Sequence, residues 1–342
     1  MHSSSSTLDP QRASKVRDLM TARSPVLKAI EWVKNNRLAG GGVAVHHKSR
    51  VATQEVTGYL IPSLLDGGEE RLAVELALWE ASVQRPDGSL AAPDGVPYTF
   101  DTAQVVRGFL AVLDRVPLLE TNLRRACDYV AGQIGADGRV NSPALDMWRL
   151  EDGSVLTDYC NLYVLPPLHE AGRRLGEPRY LDAARRGLDY YRRKSDLVDF
   201  KSESGTFSHM FGYMMEALVD LGEVALAEQG LKQAERIQRA DGSIPAYPGA
   251  TWICSTGMAQ LAIAWLKLGH REPAERAVAY LEALQHPSGG FFGSYGKGAI
   301  YFTQEEISWG VKFFIDAELL LAGRPLVSLP SLDPEPDSSR PA

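Results

Sequence analysis

Four stretches of the chain run through a glutamine and then reverse at glycine: "QRPDGSL" at residues 84–90, "QIGADGRV" at 133–140, "QRADGSI" at 238–244 and "QHPSGGF" at 285–291. Such turns reverse a chain because glycine adopts positive φ without steric cost and a preceding aspartate bonds the backbone two residues on. Aligning Gly88, Gly138, Gly242 and Gly290 gives separations of 50, 104 and 48 residues. The doubled middle interval predicts a degenerate unit at residues 190–209, and Gly40 to Gly42 supply the turn of a first one. Six units of roughly 50 residues confine the chain to a repeat or ring architecture.

Each unit reads as two helices. In "TAQVVRGFLAVLDRV" the apolar residues Val105, Val106, Phe109, Leu110 and Leu113 follow the 3.6-residue period, which resumes in "TNLRRACDYVAGQI" after Pro117. "STGMAQLAIAWLKLG" and "REPAERAVAYLEALQ" repeat the pattern, with Gly269 closing the first helix and Pro273 opening the second. The first helix of a pair is apolar nearly all round, whereas the second carries Glu272, Glu275, Arg276 and Glu282. That contrast predicts an inner ring shielded by an outer one, an all-α (α/α)6 toroid of six hairpins. The toroid is expected over residues 21–328, with a flexible segment at 1–20 and a disordered Pro- and Ser-rich tail at 329–342.

Composition narrows the partners. The formal charge of the 342 residues is −7, which gives no basic footprint for nucleic acid. The 3 cysteines, Cys127, Cys160 and Cys254, lack zinc spacing and suit a reducing, cytoplasmic setting. No apolar run is long enough to span a membrane. The histidines of "VHHKSR", His46 and His47, read as a polar loop rather than a metal site, and no metal or cofactor is expected.

A toroid gathers the starts of its inner helices at one mouth. There the sequence places Glu55, Tyr59, Tyr98, Asp101, Asp158, Tyr159, His209, Tyr213, Trp252, Cys254, Glu305, Glu306 and Trp309. Aromatic faces stack on sugar rings and carboxylates accept hydrogen bonds from hydroxyls, so the rim suits a saccharide. Tyr98, His209 and Tyr213 are candidate proton carriers, Glu306 a candidate base, and Asp101 with Asp158 a candidate carboxyl pair. Arg107, Lys297 and Lys312 are candidates to meet a uronate, and Tyr295 with Lys297 sits on a Gly-rich loop that suits a lid.

The stretches "EVTGYLIPSLL", "YTFDTAQVVRGFL", "QRPDGSL" and "EISWGVKFFIDA" resemble helical-toroid proteins encoded with bacterial polysaccharide biosynthesis, which are similar to the C-terminal catalytic domain of glucuronyl C5-epimerases. The resemblance covers about residues 25 to 325 and implies C5 epimerisation or related lyase chemistry on a uronate glycan. The glutamine turns also resemble the QW repeats of triterpene cyclases, although Ser89, Arg139 and Ser243 stand where those have an aromatic, and no DxDD acid motif occurs. The zinc ligands of prenyltransferase β-subunits, which share the toroid, find no match. Two further readings are a glycoside hydrolase using Asp101 and Asp158, and a glycan-binding protein without turnover.

Overall fold

In the computed structural model, residues 24–144 and 148–326 are described. The segments 1–20 and 329–342, expected to be flexible and disordered, lie outside the described residues. Among the described residues twelve α-helices alternate between two rings. The inner ring consists of α2 (Gln54–Asp66), α4 (Thr99–Val112), α6 (Leu165–Leu175), α8 (Ser208–Asp220), α10 (Ser255–Lys267) and α12 (Ser308–Leu321). The outer ring consists of α1 (Pro25–Asn35), α3 (Glu70–Val83), α5 (Glu120–Gly132), α7 (Pro178–Arg192), α9 (Val224–Ile237) and α11 (Arg271–Leu284). Each inner helix packs on the next, and α12 returns to α2, so the inner ring closes.

The two rings differ as their sequences require. Every residue of α4 is buried, whereas α5 buries one stripe formed by Leu123, Ala126, Cys127 and Val130. The third inner helix is reached through a 3₁₀ turn, Asp158–Val164, and the predicted degenerate unit is the loop between α7 and α8. A short antiparallel pair, β1 (Trp252–Cys254) and β2 (Ser294–Gly296), joins the loops that precede α10 and α12.

The glutamine turns bolt the outer ring together. Gln84 Nε2 donates to the carbonyl of its own turn glycine, Gly88, at 3.0 Å and to that of Asn122 in α5 at 2.9 Å. Gln238 does the same to Gly242 and to Pro273 of α11, at 3.1 and 2.9 Å. Gln285 bonds Gly289 and then Pro25, the first residue of α1, at 3.2 and 2.9 Å. The fourth turn glycine is therefore Gly289, with φ +92°, and not Gly290. The sixth hairpin pairs the first of the described helices with the last, and the Gln285–Pro25 bond spans that seam.

These glycines have no substitute. A Cβ on Gly88, Gly138, Gly242 or Gly289 would lie 2.0 to 2.2 Å from a backbone carbonyl oxygen of the next outer helix. Gly242→Ala should lower stability by about 2 kcal/mol or more, combining strain at positive φ with that clash. Gly249 also has positive φ but nothing within 4 Å of a Cβ, so Gly249→Ala should cost less. Thermal melts of both variants compare the two; equal losses would mean that the close approach contributes nothing.

Candidate active site

The first turns of the inner helices converge on a cavity of about 660 Å³, within the usual size range of small-molecule sites. Its floor and walls hold Glu55, Phe100, Cys160, His209, Tyr213 and Trp309, and its rim is formed by loop residues His46, Trp148, Arg149, Glu151, Tyr301, Phe302 and Glu305. Of the expected residues, Glu55, His209, Tyr213, Trp309 and Glu305 meet here.

Glu55 opens α2 and is partly buried. Burial pushes its carboxyl up to about 7, against the hydrogen bond it makes with Tyr213. Asp101, on the first turn of the neighbouring α4, is pushed well above the usual carboxylate range, by burial first and then by the charge of Glu55. Asp101 is buried and does not line the cavity. Glu80 of α3 is also buried and raised, by burial and then by Asp101.

His209 and Tyr213 lie one helical turn apart on α8 with ring centres 4.5 Å apart. His209 Nδ1 lies 2.7 Å from Oε1 of Gln260 on α10. An amide oxygen only accepts, so Nδ1 carries the proton and Nε2 keeps its lone pair. Burial lowers the imidazole to about 4, against the hydrogen bond to Gln260. The hydroxyls of Tyr213, Tyr301 and Tyr59 are all pushed up, chiefly by burial, and remain protonated at neutral pH.

The remaining expected residues lie elsewhere for identifiable reasons. Glu306 accepts from Trp32 Nε1 at 2.6 Å and Ser288 Oγ at 2.8 Å, and lies 2.8 Å from His286 Nδ1. It ties α1 to the loop before α12, at the seam of the ring, and does not line the cavity. Asp158 pairs with Arg139 at 3.1 Å, and Tyr159 donates to Asp196 at 2.8 Å; both line a neighbouring trough rather than the cavity that holds Glu55. Tyr98 donates to Asp94 at 2.9 Å. Trp252 and Cys254 are buried beneath the rim in β1, and Lys297 receives a hydrogen bond from Thr251 on its backbone carbonyl at 2.6 Å.

Arg107, Lys312 and Tyr59 sit deeper in the ring. Lys312 forms an ion pair with Asp316 at 2.9 Å, their side chains only 4% and 6% exposed. Arg107 lies 4.5 Å over the ring of Tyr163. Both Lys312 and Arg107 act on Glu216, which burial nevertheless raises to about 7. Neither of them lines the cavity. Among the described lining residues, Arg149 is the one cationic Lys or Arg side chain, against Glu55, Glu151 and Glu305.

Sequence reasoning missed Trp148, Arg149, Phe302 and Tyr301, and it read His46 as loop only. The overlooked signal lies in the segment "GSYGKGAIYF", where the aromatic pair after the glycines, and not Tyr295 or Lys297, lines the cavity. Phe302 does so from a left-handed backbone, φ +45°. Among the described residues no group of three His, Cys, Asp or Glu is arranged to hold a metal, and no helix is long and apolar enough to cross a membrane.

No protein-family model and no curated protein sequence matches the chain. Solved structures do match it in fold. An unsaturated glucuronyl hydrolase specific for heparin superposes with a TM-score of 0.64 at 13% identity, over 91% of this chain and 97% of that one. A polysaccharide lyase gives 0.61 at 12% identity over 92% and 98%. An α-amylase from Clostridium perfringens gives 0.63 at 11% identity over 89% and 98%. The chain is an α/α toroid. At these identities the likeness extends to fold alone.

Proposed function

We propose that the protein is a carbohydrate-active enzyme, a hydrolase of uronate-containing glycans in which Glu55 is the general acid and His209 the base. The observation that carries this reading is a carboxyl at about 7 and an imidazole at about 4 in one aromatic-walled cavity. At neutral pH a large share of Glu55 retains its proton while His209 is neutral, so the acid and the base coexist in the states each role needs. Trp148 and Phe302 offer faces for a sugar ring, and Arg149 offers a guanidinium to a uronate carboxylate.

The chemistry follows from those states. Glu55 gives its proton to the glycosidic oxygen as the bond from the anomeric carbon breaks. A water attacks that carbon, and its proton passes to Nε2 of His209. Tyr213, hydrogen-bonded to Glu55, holds the carboxyl in place, and it favours the carboxylate once the proton has gone.

Epimerisation or elimination, implied by the resemblance to C5-epimerases, is the second reading, and the protonated Tyr213 beside Glu55 favours it. Removing the C5 proton of a uronate builds charge that needs a strong cationic clamp. Arg107 and Lys312, the expected clamp, lie deeper in the ring and do not line the cavity, which favours hydrolysis. The names of structural neighbours, a glucuronyl hydrolase and a lyase among them, span both chemistries.

The test is incubation with uronate-containing oligosaccharides in D2O. Hydrolysis yields a new reducing end with no deuterium at C5; epimerisation places deuterium at C5, and elimination leaves a C4–C5 double bond that absorbs in the ultraviolet. The dependence of kcat/KM on pH should rise through about 4, as His209 loses its proton, and fall through about 7, as Glu55 loses its own. A profile flat across both limbs would remove both residues from the chemistry, and binding without any product would favour a glycan-binding protein.

A further inference from the structure

A second cavity of about 690 Å³ lies on the same face of the ring, formed by the loops that precede α6 and α8. Leu156 lines both cavities, so the two share a wall. Their characters differ. The central cavity is walled by Trp148, Tyr301, Phe302 and Trp309, whereas the second presents Arg139, Asp158, Lys201, Glu203 and hydroxyls such as those of Ser154 and Ser204.

The cations of the trough are already paired. Arg139 lies 3.1 Å from Asp158, and Lys201 lies 2.8 Å from Asp196 and 3.8 Å from Glu203. Tyr159 donates to the other oxygen of Asp196 at 2.8 Å, and Ser204 Oγ donates to Asp152 at 2.9 Å. Two cations thus face four carboxylates, and an arriving carboxylate or sulfate would meet a net negative field. A hydroxyl-rich ring meets no such penalty, because its hydroxyls can donate to the carboxylates and accept from the spare N–H groups of Arg139 and Lys201.

We propose that this trough is a second saccharide subsite, continuous with the central cavity across Leu156, which takes an uncharged, hydroxyl-rich sugar residue of the same chain. It rests on the reading of the central cavity as a glycan site. The enzyme then recognises a chain in which a uronate and its neighbouring sugar occupy the central cavity and a further neutral sugar occupies the trough, and it discriminates against an unbroken run of uronates.

The probes are a glucuronate–glucose disaccharide, a tetrasaccharide that extends it with glucose, and a tetrasaccharide that extends it with glucuronate. The wild type should bind the glucose-extended chain at least about 5-fold more tightly than the glucuronate-extended one, the scale of one or two hydrogen bonds. Arg139→Ala and the trough-filling Ser154→Trp should raise KM for the glucose-extended chain by about 5-fold or more, leaving kcat and the disaccharide KM unchanged. Thermal melts identify any variant that fails to fold, and Lys201→Ala provides an independent second cation. Equal KM changes on short and long probes, or tighter binding of the glucuronate-extended chain, would overturn the subsite. The reading of the central cavity fails separately: Glu55→Gln with full turnover would overturn that reading while leaving the length dependence to be judged by the trough variants.

Discussion

Replacing Glu55 with glutamine should lower kcat by about 10²- to 10⁴-fold, the usual range for loss of a general acid, and should leave the fold at least as stable at pH 8 as the parent. The second half distinguishes this residue from a packing group. The folded-state pKa of Glu55 is raised to about 7, so the proton is bound more tightly in the folded chain than in the unfolded one. Its contribution to stability is complete below about 4.5, the ordinary value of a glutamate, and is lost as pH rises through about 7. Glutamine carries no charge to bury. The melting temperature of Glu55→Gln relative to the parent should therefore climb between pH 5 and pH 8, measured in one buffer series. A variant that loses activity and melts lower at every pH would make Glu55 a scaffold residue. His209 works in the opposite sense: its lowered pKa makes the fold lose stability as pH falls from about 6.5 through about 4.

Lys312→Met should destabilise the chain by about 3–5 kcal/mol, because it leaves the buried carboxylate of Asp316 without its partner. The double variant Lys312→Met with Asp316→Leu should recover most of that loss, since a buried ion pair exchanged for apolar groups of similar size is often neutral. Denaturant melts of the two variants decide it. Had Lys312 been a uronate ligand, as its place on α12 suggests from sequence, the single variant would fold normally and bind substrate less tightly. Retained stability with a raised KM is the result that would restore that role.

The ring was legible because it is written twice. Turn glycines recur at one period, and helices that are apolar all round alternate with helices that carry charge. Both signals survive in a single sequence because each follows from backbone sterics and burial. The sixth hairpin was harder to see: its two helices are the first and last of the described residues, and Gln285, bonded to Pro25, joins the outer helices across the seam.

The site was legible where helical register fixes it. Glu55, His209 and Trp309 stand on the first turns of inner helices, with Tyr213 one turn below His209, and the period delivers them to one mouth. Depth was not legible. Arg107 follows Thr99 by 8 residues, which at 1.5 Å per residue carries it about 12 Å down the ring, past the cavity. Nor were the loop residues. Trp148, Arg149 and Phe302 arrive on segments with no period, where one irregular turn decides whether a side chain faces the cavity or the solvent. Glu306 illustrates the same limit: two residues before α12, it turns outward to Trp32 and His286, while Glu305 faces the cavity.

The proposed chemistry requires that a carboxyl in this cavity keep its proton near neutral pH. Carbon NMR of the protein labelled at glutamate side-chain carboxyls, with the Glu55→Gln variant identifying the resonance, measures it directly. The Glu55 signal should titrate with a midpoint near 7. A midpoint near 4.5, the ordinary value of a glutamate, would contradict it and leave the cavity without its acid.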